Sequence, residues 1–288
     1  MIQSARAAWL ALAVLGGPAV ARALEDRSTP VVVVAVFLAA SGWGAGVVAV
    51  LLPRSTSLTA LRILAPAALA AAVACAVSAP SVGVAEIAAL LGGALISGLV
   101  LGVAPVADAF VDGSSYGPER RFSLRVPIGL LAGPVELAWV AVAAPVLAGP
   151  MLLAAGAWIV GAIVLVAGAV SVRSGLGALH QLARRWIVFV PAGVVLHDPL
   201  VLAEPVLFER RLVRGLRPAE VGDERDAIDL SRGAPGLVLA LDLTSPSSIG
   251  LVHGRSTTES TETSRLLFAP TRPGAVLTEA RGKGLGLD

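Results

Sequence analysis

Charged residues are scarce in this chain: they make up 15% of its 288 residues, whereas about a quarter is typical of soluble domains. Hydrophobic residues reach 56% and the mean hydropathy is +0.83, so the composition excludes an ordinary soluble protein and predicts a membrane protein. Cysteine is almost absent. Because Cys75 stands alone, an intrachain disulfide and a cysteine-based metal cluster are both excluded.

Lysine is equally rare, with Lys283 as its single instance, while Ala, Gly and Arg abound. This bias is typical of a GC-rich bacterial genome. The net charge of +2 and the pI near 9.3 come largely from arginines at the ends of apolar segments. Arginines in that position orient membrane spans, so no nucleic-acid partner is expected.

Six apolar segments are long enough to cross a hydrocarbon core of about 30 Å at 1.5 Å of helix per residue. The first ends in Ala21-Arg22-Ala23, which also fits a signal-peptide cleavage site, so a retained helix and a cleaved signal both remain open. The predicted spans cover residues 7–23, 30–52, 57–79, 84–106, 126–148 and 151–172. Together they predict a transmembrane helical domain over residues 1–175.

Arginines in alternate connections set the predicted orientation, because short basic connections stay on the cytoplasmic side. The third and fifth connections, residues 79–83 and 149–150, carry no charge. The pattern predicts a cytoplasmic N-terminus, six spans and a cytoplasmic C-terminal region in a bacterial plasma membrane. The arginines concerned are Arg54, Arg62, Arg120, Arg121, Arg125, Arg173, Arg184 and Arg185.

After a linker at residues 176–183, the period changes to short β-like runs broken by Gly, Pro and Asp, which predicts a β-rich domain over residues 184–288. Residues 185–190 and 193–198 read as a hairpin, and residues 236–243 and 249–253 as another pair. Residues 217–233 and 254–264 read as surface loops. A short helix is expected to close the domain at Ala275–Arg281.

This hairpin series followed by one helix resembles the pleckstrin-homology-like (PH-like) domains of bacterial membrane proteins. The resemblance is carried by residues 185–198, residues 206–219 and the run Leu266-Leu267-Phe268-Ala269-Pro270 that leads to the closing helix. It covers about 100 residues and implies a cytoplasmic PH-like domain behind a membrane anchor.

Glu136 is placed in the middle of the predicted fifth span, where a carboxylate costs roughly 3 kcal/mol on insertion scales. Counting along antiparallel spans puts Ser41 and Ser97 at a similar depth. Two interpretations stay open: the three residues form a proton or cation site of a carrier, or a protonated Glu136 is hydrogen-bonded for helix packing near Pro134.

Glycines at short intervals predict close helix packing, either within the chain or in a homo-oligomer. The glycines concerned are Gly42, Gly44, Gly46, Gly98, Gly102, Gly129 and Gly133.

A long connection at residues 108–125 contains the sole tyrosine, Tyr116, followed by Arg120 and Arg121. It is interpreted either as a docking loop for lipid phosphates or a partner protein, or as a basic loop that only sets topology. Arg210, Arg211, Arg214 and Arg217 are a second candidate surface, since each arginine near an anionic leaflet adds about 1 kcal/mol of attraction.

Catalytic and metal motifs are absent from the sequence. The connection lacks the spacing of a nucleotide-binding P-loop, no serine stands in a G-x-S-x-G setting, and the three histidines are scattered. Asp223, Glu224, Asp226 and Asp229 lack the spacing of an EF-hand and read as a solvated loop. No enzyme activity, cofactor or metal is therefore expected.

The sequence favours a non-enzymatic, membrane-anchored interaction or regulatory module that binds a protein or a lipid at the inner leaflet. Every part of the chain has a role in this hypothesis. The alternative is a small proton- or cation-coupled transporter that uses Glu136.

Overall fold

The computed structural model describes residues 1–79, 81–219, 226–253 and 257–286. The chain divides into two compact units. The first, here called the helical bundle, comprises Met1–Phe110 and Glu136–His180; the second, the β domain, comprises Val111–Val135 and Gln181–Asp288. A helical membrane bundle and a smaller β-rich domain are the architecture that the sequence predicts.

Among the described residues, six segments are helical, long and apolar enough to cross a membrane, which confirms the predicted number of spans. The fifth of these, Ile128–Ala154, contains the short helix α6 as well as α7, and the short helix α5 lies before it. In chain order the helices are α1 (Ile2–Leu24), α2 (Thr29–Leu51), α3 (Ser55–Ser78), α4 (Val84–Gly102), α5 (Ala104–Asp112), α6 (Ile128–Leu131), α7 (Pro134–Ala154) and α8 (Trp158–Ala183).

The last two spanning helices lie further along the chain than the sequence predicts. Residues 149–150 are not a turn, because Pro150 remains inside α7 and the break falls at Gly156, whose φ of +84° suits glycine. Helix α8 then continues through residues 176–183, where a linker was expected. Glu136 lies in the first turn of α7 and inside the fifth candidate span, Ile128–Ala154, so its predicted depth in the membrane stays a prediction.

Helices α7 and α8 approach closely along a glycine row. Gly161, Gly168 and Gly175 recur every seven residues of α8, and each faces α7. A Cβ atom added at Gly168 would lie 2.2 Å from the Cβ of Pro145, and one at Gly175 would lie 2.9 Å from the carbonyl oxygen of Ala138. Backbone contact at this distance is how small residues stabilise helix pairs where both lipid and protein are apolar.

Helices α1 and α2 are joined by two indole rings. Trp9 donates its Nε1–H to the carbonyl of Trp43 at 2.9 Å, and Trp43 donates to the carbonyl of Trp9 at 3.3 Å. Trp9 is buried, and its ring occupies the space that a side chain at Gly46 would need. Of the glycines singled out in the sequence, Gly46 therefore has a defined packing role, whereas Gly98, Gly102 and Gly129 have open space beside them.

The β domain contains two four-stranded sheets. The first has the antiparallel order β1-β2-β3-β4, and the second has the order β5-β7-β8-β6, in which β6 runs parallel to β8. The strands are β1 (Arg120–Ser123), β2 (Trp186–Val190), β3 (Gly193–His197), β4 (Val206–Glu209), β5 (Val213–Ala219), β6 (Ile228–Asp229), β7 (Val238–His253) and β8 (Thr257–Phe268). Helix α9 (Pro273–Gly282) follows, close to its predicted position.

Strand β1 is the main departure from the predicted organisation. Residues 108–125 read as a connection, yet Arg120–Ser123 pairs with β2 and completes the first sheet. Phe122 is buried edge-on against Phe189, with 6.0 Å between ring centroids. Strand β1 is too short to show an alternating pattern in the sequence. Its partner strand also lies more than 60 residues later, so no hairpin pattern reveals it.

A buried ion pair holds β1 against the rest of the domain. The Arg185 guanidinium donates to both carboxylate oxygens of Asp198, at 2.8 and 2.7 Å, and also to the backbone carbonyl of Arg125. Leu124 and Arg125 donate their backbone N–H groups to the carbonyls of Arg185 and Ala269. The segment after β1 is thus bonded both to the start of β2 and to the segment after β8.

Two further segments are more regular than predicted. Residues 238–253 form one strand with a register shift between Asp242 and Ser247, and β8 begins at Thr257, within the predicted loop at residues 254–264. The predicted loop at residues 217–233 contains the end of β5 and all of β6, while its residues 220–225 lie outside the described part of the chain. Within that predicted loop, Thr258 and Ser260 are exposed on β8, whereas Thr263 is buried.

The glycine row makes a prediction with an internal control. Gly168→Val should destabilise the helical bundle by about 1–3 kcal/mol or more, because the new side chain meets the Pro145 ring. Gly98→Val should leave the thermal unfolding midpoint in detergent within about a degree, since nothing lies within 4 Å of its Cβ position. Equal effects of the two substitutions on that midpoint would contradict the observed α7–α8 packing.

Because β1 lies before the last two spanning helices, we predict that residues 184–288 do not fold without it. Without β1, Phe122 leaves the core and the Arg185 guanidinium loses the Arg125 carbonyl. Adding a peptide of residues 111–127 should restore cooperative thermal unfolding of the fragment, as followed by circular dichroism. A Phe122→Ala peptide should fail to do so, because truncating a buried Phe costs about 3–5 kcal/mol.

Candidate functional site: a cationic surface on the β domain

Two tight turns of the β domain present arginines to solvent. In the β4–β5 turn, Arg210 donates its backbone N–H to the carbonyl of Ala192, which belongs to the β2–β3 turn, at 2.8 Å. The neighbouring Gly193 has a φ of +153° and lies against the Phe208 carbonyl, where no Cβ would fit. The two turns are thereby fixed against each other, and the side chains of Arg210 and Arg211 are exposed.

The end of α9 connects this turn with the Tyr116 loop. Arg210 donates to the carbonyl of Lys283, and the Lys283 ammonium donates to the carbonyl of Pro118 at 2.8 Å. Cations near the last turn of a helix are stabilised by the partial negative charge of its free carbonyls. The structure therefore brings together two sets of residues that the sequence suggested separately, through a lysine that the sequence analysis did not select.

The residues around this junction carry more positive than negative charge. Arg214 is exposed and forms no ion pair or hydrogen bond with any other described residue. Arg211 is paired with Glu209 at 2.7 Å, but its side chain is 79% exposed, so water screens the pair strongly. We define the cationic surface as Arg210, Arg211, Arg214, Arg281 and Lys283.

Arg120 and Arg121 differ from these residues because nearby carboxylates balance them. Arg120 pairs with Asp112 at 2.8 Å, and Arg121 pairs with Glu119 at 3.2 Å. Tyr116 lies in the same loop and is 84% exposed. The loop is thus an ordered turn whose charges are largely compensated, with one free aromatic ring at its tip.

An aromatic stack lies on the first sheet. Trp186 and His197 are opposite each other on β2 and β3, with ring centroids 4.7 Å apart and an interplanar angle of 19°, and Arg121 lies over the Trp186 ring at 5.8 Å. Burial lowers the pKa of His197 below its ordinary value of 6.5, although a hydrogen bond to the Arg184 carbonyl opposes this shift. The imidazole is therefore neutral at pH 7.

The intramembrane polar residues take three different environments. Glu136 is exposed in the first turn of α7, where its charge suits the helix N-terminus. Ser97 is buried and donates to the Ala8 carbonyl at 2.9 Å, which ties α4 to α1, and Ser41 is exposed on α2. Among the described residues, no hydrogen bond joins these three side chains.

Metal-binding groups of three or more His, Cys, Asp or Glu side chains are absent from the described residues. Asp223 and Glu224 lie outside the described part of the chain, as does the side chain of His253. Asp229 accepts the backbone N–H of Ser231 at 2.8 Å, and His180 lies 2.9 Å from the Thr59 hydroxyl within the helical bundle.

Comparison of the chain with protein-family models, with curated proteins and with solved structures finds no match.

The depressed pKa of His197 makes a pH prediction. The imidazole of His197 binds a proton less readily in the folded state than in the unfolded state. The contribution of His197 to the stability of the β domain is therefore fully present above pH 6.5, the unfolded pKa. It is lost as the pH falls below 6.5 and through the lower pKa of the folded state. Histidine NMR titration of the full chain should place one imidazole midpoint below 6.5. His197→Gln should remove that signal; a midpoint at or above 6.5 would contradict the burial of the ring.

Proposed function

We propose that this protein is a non-enzymatic, membrane-anchored interaction module whose β domain binds the acidic headgroups of phospholipids at the inner leaflet of a bacterial plasma membrane. The observation that carries the proposal is the cationic surface, in which Arg214 forms no ion pair with a described residue and Arg211 is only weakly compensated. In this proposal the N-terminus and the β domain are cytoplasmic.

The chain connectivity supports a lipid as the binding partner. The chain passes between the helical bundle and the β domain after Phe110, after Val135 and after His180, so three connections tether the β domain to the membrane part. A tethered domain meets headgroups at a high effective concentration, and weak contacts then suffice for occupancy. The exposed arginines of the cationic surface are spread over a turn and a helix end, an arrangement that suits a diffuse anionic surface.

A PH-like domain is part of the same proposal. It is supported by the two sheets and by α9, whose Val276 and Ala280 side chains are buried in the core that the sheets share. In this interpretation the first strand is supplied by the segment before the fifth spanning helix, and the remaining strands follow the sixth.

The test is a titration of the detergent-solubilised full chain with water-soluble short-chain phosphatidylglycerol, with phosphatidylcholine of the same chain length as the neutral comparison. The acidic lipid should bind more tightly, and its advantage should shrink as salt screens the charges. Arg214→Gln should weaken that binding about fivefold, the equivalent of roughly 1 kcal/mol per arginine. The triple Gln variant at Arg210, Arg211 and Arg214 should abolish the preference.

Arg232→Gln is the matched control, because it removes an exposed arginine of the same domain outside the cationic surface. Equal affinity for the two headgroups, or equal losses in Arg214→Gln and Arg232→Gln, would refute the proposal. If a protein co-purifying from native membranes were lost in the triple variant while lipid preference was absent, an acidic protein would replace lipid as the partner.

A further inference from the structure

A wide-open cavity of about 590 Å³, with mostly exposed lining residues, lies on the helical bundle between the start of α2 and the end of α7. It is far along the chain from every residue of the cationic surface and belongs to the other unit. The residues that line it are Asp26, Arg27, Ser28, Val31, Ala148, Met151, Leu152 and Ala155.

The lining combines charged residues and apolar residues. Asp26, Arg27 and Ser28 immediately precede α2, so they lie where that span begins. The wall formed by α7 extends from Ala148 to Leu152, which is about 6 Å of helix at 1.5 Å per residue, and Ala155 follows directly after the helix. The cavity therefore reaches from the end of a span into the zone where the apolar core of a bilayer starts.

The two charges at the mouth have opposite sign and neighbouring positions. Arg27 is oriented by one hydrogen bond, which its guanidinium donates to the Ser78 carbonyl at 2.7 Å, and its other N–H groups remain for a ligand. Asp26 is exposed and makes no hydrogen bond or ion pair with another described residue. A guanidinium matches a phosphate, and a carboxylate accepts N–H groups from an ammonium.

A second cavity of about 520 Å³ lies beside the first, between the same two helices. Its walls include Val33, Val34, Leu153 and Trp158, which give it an almost wholly apolar lining. Water is excluded from the apolar core of a bilayer, so a space of this kind between two spans is filled by hydrocarbon. Trp158 begins α8 at the same end, and tryptophan is enriched at the depth of lipid headgroups.

We infer that Asp26, Arg27 and the apolar walls of α2 and α7 form a binding site for a zwitterionic phospholipid that carries a primary ammonium, such as phosphatidylethanolamine. Arg27 binds the phosphate, Asp26 accepts hydrogen bonds from the ammonium, and the acyl chains lie along Val31 and Leu152. This site is independent of the proposed function of the β domain, since none of its residues belongs to the cationic surface.

Native mass spectrometry of the full chain in mild detergent tests the inference. Phosphatidylethanolamine, phosphatidylcholine and phosphatidylglycerol with identical acyl chains serve as probes. The ethanolamine lipid should be retained about fivefold over the other two, as expected for one charge contact near the membrane surface. Asp26→Asn should bring it down to the level of phosphatidylcholine, and Leu152→Trp, which fills the cavity, should lower the retention of all three.

Glu25→Gln is the matched control, because Glu25 is the exposed acidic neighbour of Asp26 and does not line the cavity. Its retention of phosphatidylethanolamine should equal that of the unmodified chain. Equal retention of the three lipids, a preference for phosphatidylglycerol, or equal results for Asp26→Asn and Glu25→Gln would overturn the inference. The triple variant of the cationic surface should retain phosphatidylethanolamine normally, which separates this result from a failure of the proposed β-domain function.

Discussion

The buried ion pair of Arg185 and Asp198 is the interaction on which the organisation of the β domain depends. Both side chains are 1% exposed, and removing one member of such a pair costs about 3–5 kcal/mol because the other charge is left without compensation. The third contact of Arg185, with the Arg125 carbonyl, extends this dependence to the segment after β1. The charge that orders β2 and β3 thus also selects which distant segment completes their sheet.

Because each unit is built from two separate segments of the chain, no single cut in the sequence separates the helical bundle from the β domain. A tail attached after the last span would be joined to the membrane part by one connection, whereas here residues 111–135 belong to the β domain and lie between spanning helices. Strand β1 is therefore synthesised before the last two spans, and it must wait for strands β2–β8, which follow them, before the β domain can fold. In the proposed function, the several connections lower the entropy that binding would otherwise cost, which favours weak, electrostatic recognition.

The sequence predicted what depends on composition and on short periods, namely six spans, a β-rich C-terminal region and the closing helix. It could not predict what depends on contacts between distant residues. Hydropathy is almost flat from residue 126 to 172, so the sequence could not distinguish a turn at Gly149 from the observed break at Gly156. The strand at Arg120–Ser123 was missed because four residues give no reliable alternation.

Charge pairing decides which arginines of the β domain remain available to a partner. Arg120 and Arg121 drew attention in the sequence as a basic doublet, but Asp112 and Glu119 fold back onto them and hold the loop in shape. Arg214 looked no more distinctive, yet no described carboxylate pairs with it. An arginine whose charge is already satisfied must break its ion pair before it can bind a headgroup, whereas an unpaired one need only exchange water. Counting basic residues therefore identifies a candidate surface, and their carboxylate neighbours determine which part of it can bind.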